Sequence, residues 1–159
     1  MSTTFDPNAA ASADSGLFGL TTPLEEAGVV VIGVPFDATA SYRKGAHRGP
    51  RALLRASRQV DLFDLGTGRP YEAGIAMEPL DERIEAWNAE ATVLADQIIA
   101  VGGMVAGDKP LERGLARVNA IGAEVNRLVH EKTRAVLARD RLPAIIGGDH
   151  SVPFGAIQA

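Results

Sequence analysis

The chain has 159 residues, 46% apolar and 23% charged, the balance of one ordinary soluble globular domain. At that size roughly 70% of the unfolded surface is buried on folding, so no staple is needed, and the lack of any cysteine excludes thiol catalysis, iron–sulfur clusters, Cys-ligated zinc and disulfides. Twenty acidic against sixteen basic residues, a formal charge of -4, argue against a dedicated nucleic-acid binder, and the apolar runs fall far short of the ~20 residues of a membrane span. These features fit a cytoplasmic protein with neither nucleic acid nor membrane as partner.

Residues 1–27 begin MSTTFDPNAAASADSG, small, polar and slightly acidic, without the basic and apolar regions of a secretory signal. They read as a flexible arm ahead of the fold. Residues 28–34 (GVVVIGV) form a β-branched, almost wholly apolar run, as in strands buried on both faces of a parallel sheet. Pro35 ends it, a polar loop runs over 36–49, and Gly49-Pro50 opens a helix that carries Leu53, Leu54 and Ser57 on one face. A strand is expected over 60–65 and mostly loop over 66–79.

Asp81 is a good N-cap for a second helix, whose Ile84, Trp87, Ala91, Leu94 and Ile98 fall at helical spacing before Gly102-Gly103 stops it. A third helix is expected from about Leu111 to Arg139. Its inner stripe is Leu115, Val118, Gly122, Val125, Val129 and Val136, with Asn126, Arg127, His130 and Arg134 on the wet side. Residues 142–146 read as another buried strand, followed by the turn Gly147-Gly148-Asp149-His150-Ser151. A last helix opens near Pro153, with Ser151 as its cap. Strand, helix, helix, strand, helix is the grammar of an α/β fold with a parallel sheet.

The chemistry concentrates in IIGGDHS. In open α/β sheets ligands bind beyond the carboxyl ends of the strands, so Asp149 and His150 would face that crevice. A neutral imidazole is a competent ligand for Mn, Fe, Ni or Zn, and Asp149 could act as co-ligand or as an acceptor orienting it. An Asp-His pair after a strand is also commonly no more than a hydrogen-bonded turn. His47 sits beside Arg43, Lys44, Arg48 and Arg51, either a solvated basic loop or an anion or substrate contact. Other templates fail. In GGMVAGDK, Asp108 separates Gly107 from Lys109 where a phosphate loop needs them adjacent, and there is no Gly-x-Ser-x-Gly elbow or His-Glu-x-x-His.

The block VVVIGVPFDATASYRKGAHRGPRALLRAS resembles the opening of the ureohydrolase (arginase/agmatinase/formiminoglutamase) family, in Gly33 through Asp37, Ser41-Tyr42-Arg43, Gly45-Ala46 and Gly49 through Ser57. The later block IIGGDHSVPF resembles that family's first metal motif. The match is clear over residues 28–64 and 142–159, and the wording is closer to agmatinase-type members than to arginases proper.

The resemblance implies a three-layer αβα fold with a parallel sheet, incomplete over these residues, with 28–159 as the N-terminal part of the domain. It implies a binuclear manganese site at the strand ends, with His150 as a metal ligand and Asp149 as its supporting neighbour. The reaction implied is hydrolysis of a small guanidino compound with release of urea, and the assembly a homo-oligomer, trimer or hexamer. A guanidinium carbon is a poor electrophile, and two cations sharing one water would lower the pKa of that water. Ser41, Tyr42 and His47 are expected to border the substrate entrance. The family's remaining ligands come from D-x-H-x-D and D-x-D motifs, neither of which occurs in this sequence. The chain is therefore expected to be truncated and inactive alone. The alternative is a non-catalytic short paralogue acting as a subunit or regulator of an intact ureohydrolase.

Overall fold

The computed structural model describes Asp6 and residues 10–159. Its hub is β1, Val29–Val34, which pairs in parallel with a strand on each side to give the order β2-β1-β3. On one side β2 (Ile75–Met77) sets Ile75 opposite Val29; on the other β3 (Leu142–Gly147) runs the full length of β1, Leu142 opposite Val29 and Gly147 opposite Val34. The β-branched run predicts this central strand, because both of its faces are covered.

The period-2 pleat sends Val30, Ile32 and Val34 to one face. There they share a core with Ile84, Ala91 and Ala95 of α2 (Glu82–Ala100) and with Val118, Ile121, Val125 and Val129 of α3 (Lys109–Leu137). On the other face Gly33 leaves room for Leu80, Met77 and Pro50, the last from α1 (Gly49–Ala56), since a Cβ there would lie 2.3 Å from the Leu80 side chain. Helices thus cover both faces of the sheet. Asp81 caps α2 by accepting the Arg83 N–H, as its position in the sequence suggests.

Several expectations are corrected. Residues 60–65 form no strand; Asp64 and Gly68 make one isolated antiparallel bridge. The third strand lies instead in the stretch expected as loop, and its three residues owe their extension to pairing with β1 rather than to any run of their own. Helix α3 starts earlier than Leu111, because Asp108 caps it through the Leu111 N–H. Strand β3 is half-buried rather than buried, because only one of its edges is paired among the described residues.

The expected wet side of α3 is partly covered. The short α4 (Phe154–Ile157) crosses it at Gly155, where a Cβ would stand 2.1 Å from the Asn126 carbonyl oxygen, so Asn126 and His130 are half-buried while Arg127 and Arg134 stay exposed. Of the arm expected over 1–27, residues 1–5 and 7–9 lie outside the described residues. Within the remainder Leu17, Leu20 and Ala27 are buried, and the Phe18 N–H donates to Ser57 Oγ at 2.9 Å. No helix among the described residues is long and apolar enough to cross a membrane.

Candidate functional site

The carboxyl ends of β1 and β3 lie side by side, and the candidate side chains come from the two segments that leave them. Past Gly147 the Asp149 N–H donates to the Phe36 carbonyl at 3.0 Å, which carries the β1–β3 pairing beyond the strands. Gly148 makes this approach possible, because a Cβ there would fall 2.0 Å from the Phe36 oxygen.

Asp149 then ties the two segments together. One carboxylate oxygen accepts the Thr39 N–H (3.1 Å) and hydroxyl (2.6 Å); the other accepts the Ser151 N–H (2.9 Å) and hydroxyl (2.6 Å). Ser151 was expected to cap the last helix, but its hydroxyl is committed to Asp149, and α4 starts after Pro153 with no side-chain cap. His150 follows Asp149 on this braced turn. It is exposed, and its ring makes no hydrogen bond among the described residues.

The segment leaving β1 is held by a second carboxylate, Asp37, only 1% exposed. Its oxygens accept the Gly45 N–H (2.6 Å) and the His47 N–H (3.1 Å), and the His47 Nδ1 lies 2.9 Å away. Behind it, Asn88 of α2 accepts the Asp37 N–H at 2.7 Å. Burial alone would push this carboxyl up, but the Gly45 and His47 donors and the His47 charge outweigh it and hold the pKa at about 2. Lys44 adds a further tie, donating to the Ala38 carbonyl (2.8 Å) and to Asp96 of α2 (2.6 Å).

His47 is therefore clasped rather than merely solvated. Ser41 and Tyr42 occupy the exposed tip, where the Arg43 guanidinium lies 5.3 Å from the centre of the Tyr42 ring. Sequence reading missed Asp37 and Asn88 as working residues. Asp37 lies within the match over residues 33–37, and nothing local in the sequence links it to an asparagine 51 residues away.

Among the described residues no group of three or more His, Asp or Glu side chains could hold a metal ion. With Asp149 engaged by Thr39 and Ser151, His150 is the single donor this turn offers. The residues present do not compose a metal site by themselves.

A family model, that of the arginase family, matches residues 27–159. The chain belongs to the arginase family. It is 34% identical over 140 residues to N(1)-aminopropylagmatine ureohydrolase of Thermus thermophilus, covering 87% of this chain and 36% of that protein. It is 30% identical over 144 residues to the protein of that name from Thermococcus kodakarensis, covering 89% and 38%. Against arginase of Saccharomyces cerevisiae identity falls to 22% over 129 residues, covering 81% and 35%. At similar coverage the agmatinase-like relatives are thus nearer than the arginase. The chain spans about a third of the length of these curated relatives. No solved structure matches it. The parallel sheet with helices on both faces is a partial αβα domain of this arginase-family type.

Proposed function

We propose that residues 28–159 form the N-terminal part of an agmatinase-like ureohydrolase, a hydrolase acting on C–N bonds of linear amidines and releasing urea from a guanidino compound. The observation that carries this reading is the braced turn at the end of β3. Asp149 accepts four hydrogen bonds, from Thr39 and Ser151, and leaves His150 exposed beside the end of β1. That is where open parallel sheets bind their ligands.

In this reading His150 would give one donor to a manganese centre, which would supply Lewis-acid activation of water. Asp149 supports it through the backbone by fixing the turn from which the imidazole projects. The 38–48 loop borders the substrate entrance, with Ser41, Tyr42 and His47 facing the guanidino compound. The names of the nearer relatives favour an agmatine-like substrate bearing a second amine over free arginine. A cytoplasmic homo-oligomer, trimer or hexamer, completes the proposal.

The test is urea release by the native gene product, purified from its own cells and supplied with MnCl2, from agmatine, N(1)-aminopropylagmatine and guanidinobutyrate. Release is expected, with a loss of about 100-fold or more on His150→Ala. A folded product that releases no urea from any guanidino compound would overturn the proposal in favour of a non-catalytic subunit or regulator.

A further inference from the structure

The loop expected to border the substrate is long and its tip exposed, yet its two ends are held in one shape. Three ties hold it: Asp149 to Thr39 near its start, Lys44 to Asp96 on α2, and Asp37 to Gly45 and His47 near its end. The ties are not equivalent. Lys44 and Asp96 meet at the surface, where an ion pair contributes little. Asp37 is buried, and its donors come from the far end of the loop while its own N–H is fixed on Asn88 of α2. A charged acceptor that is itself cut off from water and serves several donors is the strongest of these arrangements.

We propose that Asp37 is a positioning residue for substrate: through Gly45 and His47 it fixes the shape of the 38–48 loop and so the affinity for the guanidino compound. This rests on the reading of that loop as the substrate border. Asp37 itself lies under the loop, too buried to touch a bound molecule. His47 is the visible half of the device. Its Nδ1 faces Asp37, which leaves Nε2 as the ring nitrogen turned away from the carboxylate, and about a third of the side chain is exposed. An imidazole held this way offers a fixed polar atom at the loop's end rather than a freely rotating one. Gly45 fits the same scheme. Its φ of +135° is open to glycine and lets its N–H turn back onto the carboxylate.

The experiment uses Asp37→Asn, His47→Leu and His47→Asn in the native gene product. Asparagine at 37 keeps one acceptor but loses the charge and the second acceptor. Leucine at 47 removes the imidazole donor from the partly exposed side of the clasp, where folding is least at risk, and asparagine at 47 restores an N–H at the Nδ1 position. Two quantities are read: hydrogen exchange at the amides of residues 38–48, and KM and kcat for urea release.

The expected result is faster exchange confined to that loop in Asp37→Asn and His47→Leu. KM should rise about tenfold or more while kcat changes by less than about threefold, with slow loop exchange restored and the KM loss recovered in part in His47→Asn. A uniform loss of stability would lower active enzyme without moving KM. Loop exchange that accelerates while KM stays at the wild-type value overturns the proposal and leaves the functional reading intact. Unchanged exchange in both Asp37→Asn and His47→Leu also overturns it. Wild-type product without urea release, by contrast, overturns the functional reading and with it the substrate role of Asp37. If Asp37→Asn fails to fold, His47→Leu against His47→Asn decides alone by the same two readouts.

Discussion

Two long connections leave secondary structure in this protein, residues 35–48 after β1 and 57–74 after α1, and each contains an aspartate that organises it. Asp64 works locally: one oxygen accepts the Gly66 N–H, the Thr67 N–H and the Thr67 hydroxyl, all within three residues. The bonds of Asp37 reach His47, ten residues on, and Asn88, 51 residues on, and Asp149 reaches Thr39 across 110. Asp64 is exposed and shapes a turn whose tip displays Leu65, 97% exposed. Asp37 is buried and locks a loop to the sheet. The same side chain makes a turn or a clamp according to whether it sits at the surface or under the end of a buried strand. Only the second arrangement is coupled to the candidate site.

The contrast can be sharpened by substitution, beginning with the largest effect. Gly148→Ala forces a Cβ into the Phe36 carbonyl, a backbone collision with no side chain to give way, so a loss of about 4 kcal/mol or failure to fold is expected in chemical denaturation. Asp37→Ala removes the buried carboxylate that the half-buried Gly45 and His47 donors share, and about 2–3 kcal/mol should be lost in the same measurement.

Acid titration tests the clamp without mutation. The folded-state pKa of Asp37 is about 2, below its ordinary 3.8, so its contribution is present in full above about pH 4 and disappears as pH falls through about 2. Its size is about 2 kcal/mol. Stability measured from pH 5 to 2 should fall less steeply in Asp37→Asn than in wild type; parallel curves would mean that the Asp37 charge does not stabilise the loop.

Asp149→Ala removes a less buried acceptor, and about 1–2 kcal/mol is expected, with faster amide exchange at residues 149–151. At the small end, Asp64→Ala should cost about 0.5–1 kcal/mol and leave exchange over 38–48 untouched. An effect as large as that of Asp37→Ala would erase the distinction between turn and clamp.

The same physics explains what could be read in advance. GVVVIGV announces a strand covered on both faces because every side chain in it is apolar, and Asp81 announces α2 because a cap acts within three residues. The strand Ile75–Met77 is illegible alone, since three residues carry no period and its extension comes from pairing with Val29–Val31. Residues 60–65 are mostly apolar but pair with no strand among the described residues, Asp64 bridging only Gly68. The turn that carries Asp149 and His150 is legible because its glycines and the strand before it are contiguous. Asp37 is not, because its role is set by residues on another helix and at the far end of a loop. His130 illustrates the reverse error: helical phase places it outside the core stripe but gives no warning that α4 will cross it.

His150, held out by the Asp149 turn, is proposed as a metal ligand of this arginase-family protein. The most direct test is the manganese content of the native gene product after gel filtration, compared between wild type and His150→Ala at equal folded fraction by circular dichroism. The expected result is manganese retained by wild type and at least one ion lost from the variant. A folded variant holding the full wild-type complement, or a wild type holding none after loading, would contradict the claim.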